Sequence, residues 1–322
     1  MANRADDMID RRRMRRKLTF WRAAAIILVA AGVVVAASWM FRDVSTVTNH
    51  IAKLRIEGTI TDNRELQARI ARIGDSDAVK GVIVAVSSPG GTTTGGEAIF
   101  EALRNLAEKK PMVAEVGTLA ASAGYMVATA SDHIVARQSS IVGSIGVLVQ
   151  FPDITGLMEN LGVRYEAVKS SPLKAEPSPF TPTTDEEREM LRALVLDSYD
   201  WFVDLVTDRR DLTRAQVLQV ADGSIYTGRQ ALERGLVDAL GGEEVAKAWL
   251  VEQGVDADLE VIEWRERSTS GGLLGIPGLS AMVAWMLGLP DEHRLLARLG
   301  ADSIFLDGLV SVWQPEIGRS SD

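Results

Sequence analysis

The sequence predicts an α/β body in which helices pack on sheets, preceded by a single transmembrane helix. Three observations carry this. Apolar, β-branched runs alternate with helix-period segments from residue 51 to about 265. Ala23–Phe41 is nineteen residues without a charge. The 322 residues are 46% apolar and 25% charged, an ordinary globular balance that argues against disorder, collagen and bare coiled coil.

At about 1.5 Å per residue, a helix over 23–41 nearly crosses a hydrocarbon core of roughly 30 Å. Trp21, Trp39 and Phe41 stand at its ends, where interfacial aromatics belong. Residues 1–22 carry eight basic and three acidic side chains, a net +5, while the whole chain is −9, leaving −14 for the rest. The positive-inside rule then places 1–22 in the cytoplasm, 23–41 in the inner membrane and the remainder in the periplasm. The apolar run is longer than a signal-peptide core, so an uncleaved anchor is expected. The acidic body argues against nucleic acid as a partner.

The elements of the body follow in order. Lys53–Ile60 alternates as a strand does, and Val79–Val86 reads as a strand buried on both faces. Ser87-Ser88-Pro89-Gly90-Gly91 then reads as a turn. Gly95–Lys109 has helical period and a basic end before Pro111. Met112–Val116 is a strand, Ser122–Ala130 a helix, and His133–Ala136 and Ile145–Val149 short strands, with Tyr165–Val168 a further candidate. Lys169–Thr184 is a Pro-rich loop. Thr184 caps a long helix to about Arg210, with Glu186 and Glu187 in its first turn. Leu259–Trp264 is a last strand. The body thus runs over 42–267, and 268–322 is a tail of different composition. Its apolar stretch Leu279–Leu289 is too short to span a bilayer and reads as a packing helix, or as a membrane or oligomer contact.

Cysteine is absent and the three histidines, His50, His133 and His293, are scattered. That removes thiolate chemistry and makes a zinc site improbable, so no metal or other cofactor is expected. Four segments offer chemistry. Gly90-Gly91 allows backbone N–H groups to approach a ligand. Ser122 sits at a strand-to-helix junction among small residues, where a helix N-terminus suits an oxyanion, though it could equally be an N-cap. Gly143-Ser144-Ile145-Gly146 is a second small-residue turn, and Lys174 lies in the Pro-rich loop. Activation of Ser122 calls for either an imidazole, from His133 or His293, or a desolvated lysine whose neutral amine accepts the serine proton.

Taken together, SSPGG (87–91), TLAASAGYMVATA (118–130), IVGSIGV (141–147), KSSPLKAEPSPF (169–180) and ADGSIYTGRQALERGLVDALGG (221–242) resemble the short form of signal peptide peptidase A, the membrane-anchored protease IV family. The resemblance covers about residues 50–265 and implies the ClpP/crotonase-like spiral of ββα units. It implies Ser122 as nucleophile, Lys174 as general base, Ser144 as the serine that orients the lysine, and the Gly91 and Ala123 N–H groups as oxyanion hole. It further implies a homo-oligomer with active sites shared between protomers, acting at the membrane on cleaved signal peptides and other apolar peptides. One departure stands out: the family usually reads Lys-Asp where this chain has Lys174-Ala175, and Lys169 is the alternative base. A silent membrane scaffold and a crotonase-like acyl-CoA enzyme are the rival readings of the same fold.

Overall fold

The computed structural model describes residues 48–265 and 310–312, together with Trp21, Ala25, Leu28 and Gly32. The chain divides into a unit over Met1–Thr48 and one over Asn49–Asp322. In the first, the four described residues 21, 25, 28 and 32 are helical. The expected span 23–41, the stretch Leu279–Leu289 and His293 fall largely or wholly outside the described residues. Among the described residues, no helix is long and apolar enough to cross a membrane.

The second unit is built on a largely parallel sheet. The sheet begins with β1 (His50–Ile60), followed by helix α1 (Arg64–Asp75), β2 (Val79–Thr92), α2 (Thr93–Ala107) and β3 (Met112–Ala121). Strands β1, β2 and β3 pair side by side in parallel. Each crossover carries a helix because the intervening sequence has both cap and stripe. Asn63 accepts from the Leu66 N–H and Thr92 from the Gly95 N–H. Leu66, Ile70 and Ile73 of α1, and Ile99, Leu103 and Leu106 of α2, are buried at helical spacing.

Beyond β3 come α3 (Ala123–Ala128), β4 (His133–Ala136), β5 (Ile141–Gly143), α4 (Thr155–Asn160) and the 25-residue α5 (Asp185–Arg209). Then follow α6 (Arg214–Leu218), β6 (Ile225–Thr227), α7 (Gly228–Glu233), β7 (Ala239–Leu240), α8 (Glu243–Glu252) and β8 (Val261–Glu263), with β9 (Val310–Val312) from the tail. The sheet splits along β3. Its first half, Val113–Val116, pairs with β4, and its last three residues, Leu119–Ala121, pair with β5. One sheet face packs on α1, α2, α3 and the second half of α5, and the other on α8, where Ile51, Ile83, Val113 and Val135 meet Ala246 and Leu250. Buried Arg210 holds α5 in place by a two-pronged ion pair to Asp238, at 2.6 and 2.9 Å. Lys53 ties β1 to Glu115 and Glu243; burial pushes its ammonium down, but the two carboxylates outweigh that and its pKa is raised.

Four expectations are corrected here. The SSPGG segment is not a turn after the strand but its continuation. Pro89 is tolerated because it falls within the register shift of the β1 ladder and just past the last β3 pair, Ser88 with Ala120, so its missing N–H breaks neither. The strand expected at Ile145–Val149 lies instead at Ile141–Gly143, in register with Leu119–Ala121, after which Gly143 (φ 110°) and Ser144 (φ 52°) turn the chain. Tyr165–Val168 forms no strand, since it is exposed and has no ladder partner. The tail contributes a strand, β9, where only helix was foreseen. It lies antiparallel to Gly90–Thr92, on the side of β2 that β3 leaves after Ser88.

Candidate active site

The carboxyl ends of β2, β3 and β5 converge, the usual place for a site in a parallel sheet. β2 ends on Gly90–Thr92, β3 on Ala121 and β5 on Gly143. The residues that follow the last two are Ser122 and Ser144, and a short bond joins the two ends: the Ser122 N–H donates to the Gly143 carbonyl at 2.8 Å. Ser144 is fixed in turn by its own N–H, which donates to the Ser224 carbonyl at 2.7 Å.

Ser122 is 1% exposed and adopts φ 58°, ψ −122°, outside the regions open to ordinary residues. Holding it there costs on the order of 1–3 kcal/mol, and such strain concentrates at functional sites. Its side chain makes no capping bond to α3, so it does not serve as an ordinary N-cap. Ala123, the next residue, opens α3, and its N–H therefore has no acceptor within the helix.

Small residues make this junction possible. A Cβ on Gly124 would lie 2.7 Å from the Ser88 carbonyl oxygen, and one on Gly96 would lie 2.8 Å from Met126 Sδ. α3 is thereby pressed onto both β2 and α2. Gly91 is under the same constraint more severely, since a Cβ there would fall 1.8 Å from the Ile60 carbonyl oxygen. Ser88 braces the approach, donating to the Gly58 carbonyl and accepting from the Gly90 N–H.

The structure thus gathers Ser122, Ala123, Ser144 and the Gly91 edge. The Ser144 hydroxyl has no hydrogen-bond partner among the described residues. Lys174 stands apart in the loop between α4 and α5, exposed, its amine without a partner among the described residues. Lys169 differs: its amine is engaged by the Glu176 carboxylate, which is itself only 6% exposed.

No imidazole reaches Ser122 from β4. His133 pairs with Val113, eight residues before Ala121 on β3, which is about 26 Å along the strand. It stacks on Trp249, and burial holds its pKa below 6.5 although Asp238 pulls the other way. His50 is buried at the same far end of the sheet, where it accepts from the Trp264 indole. Among the described residues, no cluster could hold a metal ion.

The family models for peptidase family S49 and for Clp protease match residues 104–257 and 43–142, respectively. A putative protease of Synechocystis, slr0021, is 36% identical over 230 residues, covering 70% of this chain and 82% of that one. The putative signal peptide peptidase SppA of Enterococcus faecium is 34% identical over 233 residues, 68% of each chain. The chain belongs to peptidase family S49. A third relative, the putative protease MJ0651 of Methanocaldococcus jannaschii, is 40% identical over 195 residues, 61% of this chain and 63% of that one, so the match spans less than two thirds of that protein. Membership in family S49 puts the chain among serine peptidases, and the Clp protease match agrees with the mixed α/β sheet.

Residues that sequence reasoning missed surround this site. Ser88 braces it through two bonds of its hydroxyl and Ser224 through its carbonyl, and no spacing of residue types announces such contacts.

Proposed function

We propose that this chain is a membrane-anchored serine endopeptidase with a Ser122–Lys174 dyad, which degrades cleaved signal peptides at the periplasmic face of the inner membrane. The observation that carries it is Ser122: strained, uncapped and buried at a strand-to-helix junction beside the Gly91 edge.

Ser122 Oγ attacks the scissile carbonyl carbon while its proton passes to the neutral Lys174 amine. The Gly91 and Ala123 N–H groups stabilise the oxyanion. The intermediate expels the amine, which takes the proton from Lys174, and leaves an acyl-enzyme. Water then attacks the acyl carbon, giving its proton to Lys174, and Ser122 leaves with that proton restored. Ser144 Oγ holds the lysine amine in line. The substrate lies extended along Gly90–Thr92, an edge able to pair with an extended segment, as it does with β9.

A lysine in water is charged at neutral pH and cannot serve as a base. Lys174 is exposed in the single chain, so its amine must be desolvated by another surface. A second protomer supplies that surface. Exposed Leu157, Leu161, Val163 and Val168 precede Lys174, and Leu194 and Leu196 follow on α5, an apolar skin suited to such a contact.

The test is complementation. Ser122→Ala and Lys174→Ala should each abolish peptide hydrolysis with folding intact, and a serine-reactive phosphonate should label Ser122. Co-assembled, the two inactive chains should recover about a quarter of wild-type activity, because a quarter of shared sites draw both intact residues from neighbouring copies. Full turnover by Lys174→Ala alone would sink the dyad.

A further inference from the structure

We propose that Lys169 and Glu176 are positioning residues: a charged clasp that closes the 169–176 loop and so presents Lys174 outward. This rests on the reading of Lys174 as general base.

The two lysines of this loop live in opposite surroundings. The Lys169 amine is bound to Glu176 Oε1, while the Lys174 amine is exposed and, among the described residues, unpartnered. The Lys169 amine is already committed to Glu176, so it is placed as an ion-pair partner and not toward Ser122. Its task is instead set by Glu176. That carboxylate is buried, and its second oxygen, Oε2, has no hydrogen-bond partner. Lys169 is therefore its one cationic partner among the described residues. A buried carboxylate stripped of its cation is strongly disfavoured and would be driven toward water. Loss of either member releases the segment between them.

That segment needs holding. The Lys174 N–H donates to the Ser171 carbonyl at 3.2 Å, and the Glu176 N–H to the Leu173 carbonyl at 3.4 Å, both long. Between them Ala175 takes φ 60°, left-handed and unfavourable for alanine. Such a conformation persists only where its surroundings enforce it. The far side of the loop is secured separately. The Ile154 N–H donates to the Pro179 carbonyl at 2.9 Å, and the Tyr165 and Phe180 rings meet at 5.0 Å. Lys174 thus sits on a short arch whose two feet, 169 and 176, are joined by charge.

The experiment uses the full-length, membrane-assembled chain and a chromogenic peptide with small apolar side chains. It compares Lys169→Met, Glu176→Gln, Lys169→Arg, the exchange Lys169→Glu with Glu176→Lys, and Lys174→Ala. Misplacing a reacting group by about 1 Å costs about 100-fold. Lys169→Met and Glu176→Gln should therefore lower kcat by about 10- to 100-fold, with KM within about twofold and assembly retained. Lys169→Arg should keep most of kcat. The exchanged pair should regain about tenfold over Lys169→Met, because it restores the attraction with the signs reversed. Wild-type kcat in both Lys169→Met and Glu176→Gln, beside an inactive Lys174→Ala, overturns the clasp and leaves the dyad standing. A fully active Lys174→Ala beside an inactive Lys169→Met overturns the dyad itself and makes Lys169 the base.

Discussion

The Ser122 end of the sheet and the Lys174 loop are built by opposite means. Around Ser122, the residues are small and buried, and backbone bonds of 2.7–2.8 Å fix the two serines. Gly91, Gly96 and Gly124 each stand where a Cβ would collide with a neighbour. Around Lys174, by contrast, α4 buries no residue, and Val168 is fully exposed. One half of the chemistry is finished inside a single chain. Under the proposed dyad, the other half sits on an exposed, largely apolar arm that a neighbouring protomer would have to cover.

The strongest way to break this contrast is to spoil the arm while leaving the body alone. Under the shared-site reading, Leu161→Asp with Val168→Asp removes assembly, and with it the base. Turnover should fall by about 10²–10⁴-fold, the worth of a general base, while the melting temperature of the monomer stays unchanged. Gel filtration and hydrolysis rates read both; an assembled but inactive, or a monomeric but active, variant would contradict the picture. The reverse experiment spoils the body. Gly91→Ala forces a Cβ against the Ile60 carbonyl and should cost upward of about 3 kcal/mol, seen in chemical denaturation.

Smaller effects sharpen the comparison. Ser144→Ala removes one hydroxyl and nothing else, so it should slow turnover about tenfold, one hydrogen bond of roughly 1–1.5 kcal/mol, with assembly intact. His133→Gln should leave turnover untouched, since His133 lies at the opposite end of β3. It does bear on stability. Burial lowers its pKa from 6.5 in the folded chain, so the unfolded chain takes up the proton first as pH falls. The stability it contributes is present above pH 6.5 and lost as pH drops toward the folded value. Melting curves between neutral and mildly acid pH should therefore decline less steeply for His133→Gln than for the unaltered chain.

The sequence made the body legible where local pattern and long-range partner agree. Val79–Val86 is a nearly continuous β-branched run and Met112–Val116 a mostly apolar one, both buried in the sheet, and Thr184 does cap α5, with Glu187 completing a capping box. Legibility failed where a partner overrides the local pattern. Pro89-Gly90-Gly91 carries every sign of a turn, yet β1 shifts register to keep it paired and β9 takes its other side, so it is strand. Ile145–Val149 is more strand-like than Ile141–Gly143, but only the latter lies opposite Leu119–Ala121. The candidate site residues were conspicuous because glycine, alanine and serine crowd together where the backbone must come close. The difference between Lys169 and Lys174 was invisible for the converse reason: it depends on Glu176, whose burial is a tertiary fact.

Between Arg188 and Ser198 α5 buries no residue, whereas Tyr199 and Trp201 pack partly against the core and Phe202 is fully inside it. The 11 residues from 188 to 198 make a rod of about 16 Å, with the lysine loop at its outer end. In an assembly that shares its sites, the rod acts as a ruler. Its length would then set how far each body stands from the next, so inserting or deleting one helical turn should change the spacing between protomers before it changes any residue of the proposed chemistry.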